Sequence, residues 1–354
     1  MRKLVGEGEN FVGCGKTNLP EVNKSHPKMG FLYSMKAAIR RKYGPPDTIS
    51  IEKMETPAPK ENEILVRVHA ATVNRTDCAV LMGKPFVMQF FTGLGRPTSP
   101  TTGTDFAGQI EAIGKRVTAF KVGERVWGFY DNGLSSHAEY LTISEHAAVF
   151  TIPEHISYEQ AAASAEGAHY AYNFVNKLTL SAGQKVLVNG ATGAIGSASV
   201  QILKSLGLYV TAVCNTPNVA LVTALGPDKV IDYQKEDFTR QDEQYDFVFD
   251  AVGKSTFSRC KPLLKPCGIY LSSELGPHAE NLYLPLLTKI RGGKKVVFPI
   301  PADIKGSLHF IQNLLEKGQF KPVIDRRYPL EKIAEAYKYV ISGQKTGNVI
   351  ITFD

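Results

Sequence analysis

The sequence predicts an α/β protein of two sheets, an antiparallel, barrel-like one and a doubly wound parallel one, and three observations predict it. Between Lys36 and about Val149, short runs rich in Val, Ile and Phe are punctuated by Gly114, Gly123 and Gly133, the pattern of an antiparallel barrel. After Pro153, short apolar runs alternate with helical stretches, the mark of βαβ units with helices on both faces. One of these runs, Lys185–Asn189, leads directly into a glycine-rich turn and a helix.

The elements follow in chain order. Residues 1–34 hold Gly, Asn, Lys and Pro without periodicity and read as a loose N-terminal extension; Glu7, Glu9 and Glu21 argue against a mitochondrial transit peptide, and the apolar core of a secretory signal is not expected there. The first domain is expected over residues 35–155, with strands at 35–40, 63–71, 105–113, 125–127 and 138–143 and a Pro-rich loop at 93–102. The parallel domain is expected over 156–300. It begins with an Ala-rich helix at 158–176 and continues as strand 185–189, helix 194–206, strand 209–214, helix 218–225 and strands at 230–233, 247–251 and 268–271. Residues 301–354 supply helices at 304–317 and 330–342 and a strand at 348–353, a tail that returns to the first domain and leaves a cleft between the two.

Composition narrows the function. With 43% hydrophobic and 21% charged residues, the 354-residue chain is packed rather than disordered, and it is long enough for two cores. Its net charge of +7 gathers into no basic block for nucleic acid, while an anionic cofactor suits it. Cys14, Cys78, Cys214, Cys260 and Cys267 form no C-x-x-C pair, which points to a reducing, cytoplasmic setting. No uncharged apolar run approaches the about 18 to 20 residues that a membrane-spanning helix needs.

The turn reads Gly190, Ala191, Thr192, Gly193, Ala194, Ile195, Gly196. In a strand–turn–helix frame Gly190 takes a positive φ, Gly193 lets a pyrophosphate approach the backbone, and Gly196 lets the helix pack on the strand, so this is a Rossmann dinucleotide site. NAD sites place an acid at the end of the second strand, but here that strand runs into Asn215, Thr216, Pro217 and Asn218, with no carboxylate before Asp228. Amide and hydroxyl donors suit a 2'-phosphate and hence NADPH; the same residues also make an ordinary turn.

From Met35 onward the chain resembles the medium-chain dehydrogenase/reductase superfamily, and within it the zinc-independent quinone oxidoreductase branch. The resemblance rests on residues 70–77 (AATVNRTD), 103–108 (GTDFAG), the Ala-rich helix, 190–196, 230–233 (VIDY), 250–253 (DAVG) and 345–349 (KTGNV). It implies a GroES-like catalytic domain beside the Rossmann domain. Zinc alcohol dehydrogenases of the superfamily have Cys where Asn74 stands, His where Thr104 stands and a third ligand near Glu166; an amide and a hydroxyl cannot hold tetrahedral zinc, so no metal is expected.

The resemblance further implies that Asn74 donates to a substrate oxygen, unless it only satisfies its loop, and that Asp77 either orients that loop or caps the next helix. Enoyl-thioester reductases place a Tyr acid shortly after this loop; residues 82–88 lack one, and Tyr130 is the nearest substitute. Cofactor contacts are expected from Thr192, Ala194, Ile195, Asn215, Thr216 and Asn218. Tyr233, Val252, Phe298, Ile300 and Asn348 join them through the family match, though Tyr233 also reads as ordinary packing and Phe298 and Ile300 equally as core. Relatives pair the 2'-phosphate with a Lys or Arg near Pro217, absent here, and Lys345 is the candidate compensating charge. The expected activity is NADPH-dependent reduction of quinones or α,β-unsaturated carbonyls. The alternatives are a zinc-free NADP alcohol dehydrogenase and a nucleotide-binding relative without turnover. Val296, Val297 and Phe298 read as an apolar edge strand, so a homodimer is expected.

Overall fold

The computed structural model describes residues 34–131 and 133–353; of the expected N-terminal extension, only Ser34 falls among them. Strands β1 (Ser34–Ile39) and β2 (Ser50–Glu55) form an antiparallel ribbon. The spine of the next sheet is β3 (Glu63–Val73), followed by α1 (Arg75–Met82), α2 (Met88–Thr92), β4 (Asp105–Ile113), β5 (Arg125–Phe129), β6 (Tyr140–Ser144) and β7 (Val149–Thr151). The chain turns from β3 into α1 through a capping box, in which the Asn74 side chain accepts from the Asp77 N–H and the Asp77 carboxylate accepts from the Asn74 N–H.

The segment at 158–176, expected as one helix, is two: α3 (Tyr158–Ala163) and α4 (Glu166–Val175). The Ser164 hydroxyl donates back to the Gln160 carbonyl at 2.7 Å, and Ala165 leaves helical geometry at φ −86, ψ −88. That break places Glu166 in the first turn of α4.

The parallel sheet follows from β8 (Lys185–Asn189), α5 (Ala194–Ser205), β9 (Tyr209–Cys214), α6 (Val219–Ala224), β10 (Lys229–Asp232) and β11 (Tyr245–Asp250). It is completed by α7 (Phe257–Cys260), β12 (Leu264–Ser272), α8 (Glu280–Arg291) and β13 (Lys295–Val297). Its strand order is β10-β9-β8-β11-β12-β13, every neighbouring pair parallel. This is the Rossmann order, and the direction of winding reverses between β8 and β11, where such sheets bind ligands.

The tail comprises α9 (Ile304–Glu316), β14 (Ile324–Pro329), α10 (Ile333–Ile341) and β15 (Asn348–Thr352). In it, β15 pairs antiparallel with β3. However, β14 lies parallel to β15, so the sheet β14-β15-β3-β4-β5-β7, with β6 also on β3, is mixed rather than wholly antiparallel. The sequence hid β14 because Asp325, Arg326 and Arg327 interrupt any apolar pattern; the strand sits at the sheet's edge and needs none. One buried cluster joins both sheets, with Trp127 and Phe129 from the mixed sheet, Ala161 and Phe174 from α3 and α4, and Val188 and Phe249 from the parallel sheet.

Candidate active site

At the C-terminal ends of β8, β9 and β11 lies a cleft of about 910 Å³. Gly190, at φ +83, forms its floor beside Val252, whose side chain lies 2.8 Å from where a Cβ would stand. A Cβ on Gly196 would lie 2.1 Å from the Gly190 carbonyl, so this glycine serves helix packing and not the cleft. On Gly193 a Cβ would meet only the Gly190 carbonyl, at 3.6 Å, so that side is open. Gly193 begins α5 without a side-chain cap, and Thr192, Ala194 and Ile195 line the same wall. The donors and the room of a pyrophosphate cradle are therefore present.

At the far end, Asn215, Asn218 and the half-exposed Tyr233 line the cleft, and the Asn218 amide donates to Asn215 at 2.6 Å. Thr216 does not line it; its hydroxyl donates to Asp232 at 2.6 Å and its N–H to Gln234. Two cations that the sequence reading missed stand at this rim: Lys235, 3.7 Å from Asp232, and Arg259, 4.0 Å from Asp237. They follow β10 and sit on α7, outside the fingerprint and its neighbouring strand end. Lys345 also lines the cleft, but beside Glu166, with its ammonium donating to the Gly347 carbonyl at 2.6 Å. Burial lowers its pKa, and Glu166 draws it partly back.

Three further expected contacts, like Thr216, do not line the cleft. Asn348 is buried and donates to the Val323 carbonyl at 3.0 Å, as part of the β15 connection. Phe298 follows the end of β13 and Ile300 is exposed, and neither lines the cleft.

A second pocket of about 370 Å³ adjoins the cleft, and Arg75, Glu166, Ile195, Glu274 and Val340 line both. Cys78, Met82, Pro85 and Met88 give it an apolar wall, while Thr76, Tyr170 and Ser273 add hydroxyls. The Ser273 Oγ is buried without a partner, whereas Arg75 is paired with Glu274 at 3.5 Å. Asn74 lines neither space. Its carbonyl caps α1 and its amide donates to Thr104 at 2.9 Å, so the side chain expected to meet a substrate oxygen is already engaged. Asp77 is buried in the cap, the capping role being one of its two expected ones. Tyr130 is half-exposed and lines neither space; the tyrosine that reaches the pocket is Tyr170, on α4.

Burial raises the pKa of three nearby acids. Asp77 moves well above the usual aspartate value, with the charge of Asp105 adding to burial. Asp105 rises to about 7, burial outweighing its hydrogen bonds from Thr72. Glu166 also rises, against the opposing pull of Lys345 and Thr76. His137, by contrast, is pushed down to about 4 by burial and bonds Thr102 and the Thr72 carbonyl, a satisfied core histidine. Among the described residues no cluster of three His, Cys, Asp or Glu is placed to hold a metal ion.

The fold and site define a protein in which a mixed sheet is joined to a Rossmann sheet that carries a candidate dinucleotide cleft. Residues 60–158 match the family "Alcohol dehydrogenase GroES-like domain" and 225–351 match "Zinc-binding dehydrogenase". The chain is 30% identical to the chloroplast envelope quinone oxidoreductase homolog of Arabidopsis thaliana, over 84% of this chain and 92% of that one. It is 27% identical to the NADPH-dependent alkenal/one oxidoreductase, chloroplastic, of the same plant, over 90% and 79%. The solved quinone oxidoreductase from Coxiella burnetii shares the fold at a TM-score of 0.80 and 24% identity, over 90% of this chain and 99% of that one. The chain belongs to the medium-chain dehydrogenase/reductase superfamily, in its quinone oxidoreductase branch, whose members use a nicotinamide cofactor. No helix among the described residues is long and apolar enough to cross a membrane.

Proposed function

We propose that the protein reduces quinones or α,β-unsaturated carbonyls with NADPH, without zinc, as a cytoplasmic homodimer. Residues 35–155 with 301–354 then form the catalytic part and 156–300 the cofactor-binding part. The observation that carries the reading is the direct bond from Asn74 to Thr104 at 2.9 Å. It joins two of the positions from which zinc relatives reach their metal, and an amide with a hydroxyl is a poor donor set for zinc. Substrate charge must then be met by hydrogen-bond donors, which suffices for an electron-poor ring or enone.

Bound in the cleft, the cofactor supplies a hydride. The open side of Gly193 and the first turn of α5 would hold its pyrophosphate, and Tyr233, Asn215 and Lys235 would hold the adenosine phosphate, while Lys345 lines the same cleft beside Glu166. The adjoining apolar pocket takes the substrate ring, and the unpartnered Ser273 hydroxyl meets its oxygen. Turnover of a simple quinone and a simple enone, measured with NADPH and with NADH on chelator-treated protein, tests the proposal. Activity with NADPH that survives chelation is expected; activity that is lost with the chelator and returns with zinc refutes it.

A further inference from the structure

From the floor of the substrate pocket a line of hydrogen bonds runs to the surface. Thr76 Oγ1 lies 3.0 Å from Glu166 Oε1 and 3.3 Å from the Tyr170 hydroxyl, and that hydroxyl lies 3.2 Å from Asp131 Oδ1. Glu166 lines both the cleft and the pocket, Thr76 and Tyr170 line the pocket, and the Asp131 carboxylate is 27% exposed. We infer that Glu166 is the proton donor of the reduction and that Thr76, Tyr170 and Asp131 resupply it from solvent. This rests on the reductase reading and adds a residue that the sequence reading used only to mark a vacant ligand position.

The chain of groups has the chemistry of a shuttle. Each hydroxyl both donates and accepts, so the line has two orientations. In one, a protonated Asp131 donates to Tyr170, Tyr170 to Thr76 and Thr76 to the Glu166 carboxylate. In the other, protonated Glu166 donates to Thr76, Thr76 to Tyr170 and Tyr170 to Asp131. Passing one proton inward converts the first into the second, and neither hydroxyl has to ionise. Burial and the neighbouring acids hold Tyr170 neutral, since they raise its pKa well above the usual tyrosine value.

The balance is complete. Hydride from the reduced nicotinamide forms a C–H bond at the electron-poor carbon, and the displaced electron pair moves to the carbonyl oxygen. The Glu166 O–H bond breaks as an O–H bond forms on that oxygen, and Asp131 takes up one replacement proton from bulk solvent. The sum is substrate, reduced nicotinamide and one proton giving reduced substrate and oxidised nicotinamide.

The groups that face Glu166 come from several elements: Lys345 from the C-terminal loop, Arg75 and Cys78 from α1, His169 from its own helix, Glu274 after β12, and Asp131 after β5. Asp77 and Asp105 lie deeper and also feel its charge. Desolvation is the largest influence, and it favours the protonated acid that a donor requires.

The test uses the full chain with an enone and NADPH. Glu166→Gln is expected to lower kcat by about 10²-fold, the ordinary scale of general acid catalysis, with the NADPH dissociation constant within about twofold. The decline of the wild-type rate with rising pH should vanish in that variant. In cofactor-free protein, the infrared difference spectrum between wild type and E166Q should contain a protonated-carboxyl band that weakens as pH rises. Thr76→Val and Tyr170→Phe should each lower kcat about tenfold, while Thr76→Ser restores it and added acetic acid partly rescues Thr76→Val. If E166Q fails to fold, the Val and Ser variants of Thr76 decide the matter. Equal rates for those two, or a folded E166Q with wild-type kcat and pH profile, overturn the donor role while the reductase reading stands. Absence of all quinone and enone turnover in the wild type removes both.

Discussion

The Gly347 N–H donates to the Thr192 carbonyl at 2.7 Å, which ties the loop before β15 to the glycine-rich turn. The contact is closed by a bridge between Gly193 and Gly347. The end of the chain therefore helps to shape the phosphate cradle formed in its middle.

Gly347→Ala should disturb both stability and cofactor binding. The residue holds φ +74, and a Cβ would stand 2.3 Å from the Val323 carbonyl. Left-handed strain of roughly 1 to 2 kcal/mol and an overpacking cost of about 1 to 3 kcal/mol follow. Thermal unfolding should shift down by several degrees and NADPH binding should weaken; a wild-type melting temperature with unchanged binding would show that the latch is dispensable.

Preference for NADPH should depend on Lys235. It stands at the cleft rim near Tyr233 and Asn215, and a charge-assisted bond to a phosphate is worth about 1.5 to 3 kcal/mol before solvent screening. Lys235→Ala should raise the NADPH dissociation constant about tenfold and leave that of NADH within about twofold. Equal losses for both cofactors would assign the residue to the cleft's general charge.

The legibility of the sequence followed the physics of each signal. Strand–turn–helix order and three glycines fix local backbone, so β8, α5 and the floor of the cleft were readable, as were β4 and β9 to the residue. Pairing across long distances was not: β14 joins β15 in parallel, and only tertiary context makes its charged residues a strand. Site chemistry was harder still. Asn74 has the right residue type at the right place, but its hydrogen bonds go to Asp77 and Thr104. Glu166 and Tyr170 carried one usable signal, a carboxylate inside an alanine-rich apolar helix, where an unpaired charge is costly enough to require a reason.

Asn74→Ala should act on the fold and Ser273→Ala on the chemistry. Losing the Asn74 cap costs about 0.5 to 2 kcal/mol, and leaving Thr104 and Asp77 less satisfied adds to it. Its melting temperature should drop while NADPH affinity holds. Ser273→Ala should keep its melting temperature and lose about tenfold or more in kcat, the low end for one donor to a developing oxyanion. A reversal of the two phenotypes would return the substrate oxygen to Asn74.

Asp105 should make stability depend on pH in a defined window. Its folded pKa of about 7 lies above the 3.8 of an unperturbed aspartate, so the folded state holds the proton more tightly than the unfolded one. Its contribution is fully present below about pH 4 and is lost as pH rises through about 7. Asp105→Asn cannot ionise, and its amide can still bond Thr72. The melting temperature of the variant relative to wild type should therefore climb between about pH 4 and 8, a range that spans both pKa values. A difference that does not change with pH would mean that Asp105 is ionised throughout.

The last prediction concerns assembly. The parallel sheet ends at β13, whose outer edge has no strand among the described residues, and α8 packs beside it. Leu282, Leu286 and Ile290 recur every four residues on α8 and are 55%, 65% and 75% exposed, with Tyr283, Leu287 and Ile300 also exposed. An open strand edge next to an apolar stripe invites association, and a twofold axis through that edge would extend the sheet and cover both stripes at once. Burying one such Leu or Ile is worth about 1.5 to 3 kcal/mol, whereas a carboxylate in its place must be desolvated. Light scattering should give twice the chain mass for the wild type at micromolar concentration and the single chain mass for a Leu286→Asp, Ile290→Asp double variant. Both substitutions lie at solvent-exposed positions of the single chain, so the variant should keep its fold by circular dichroism. A wild type that scatters as a single chain with full activity would leave the stripe without a partner copy and remove the dimer from the proposed function.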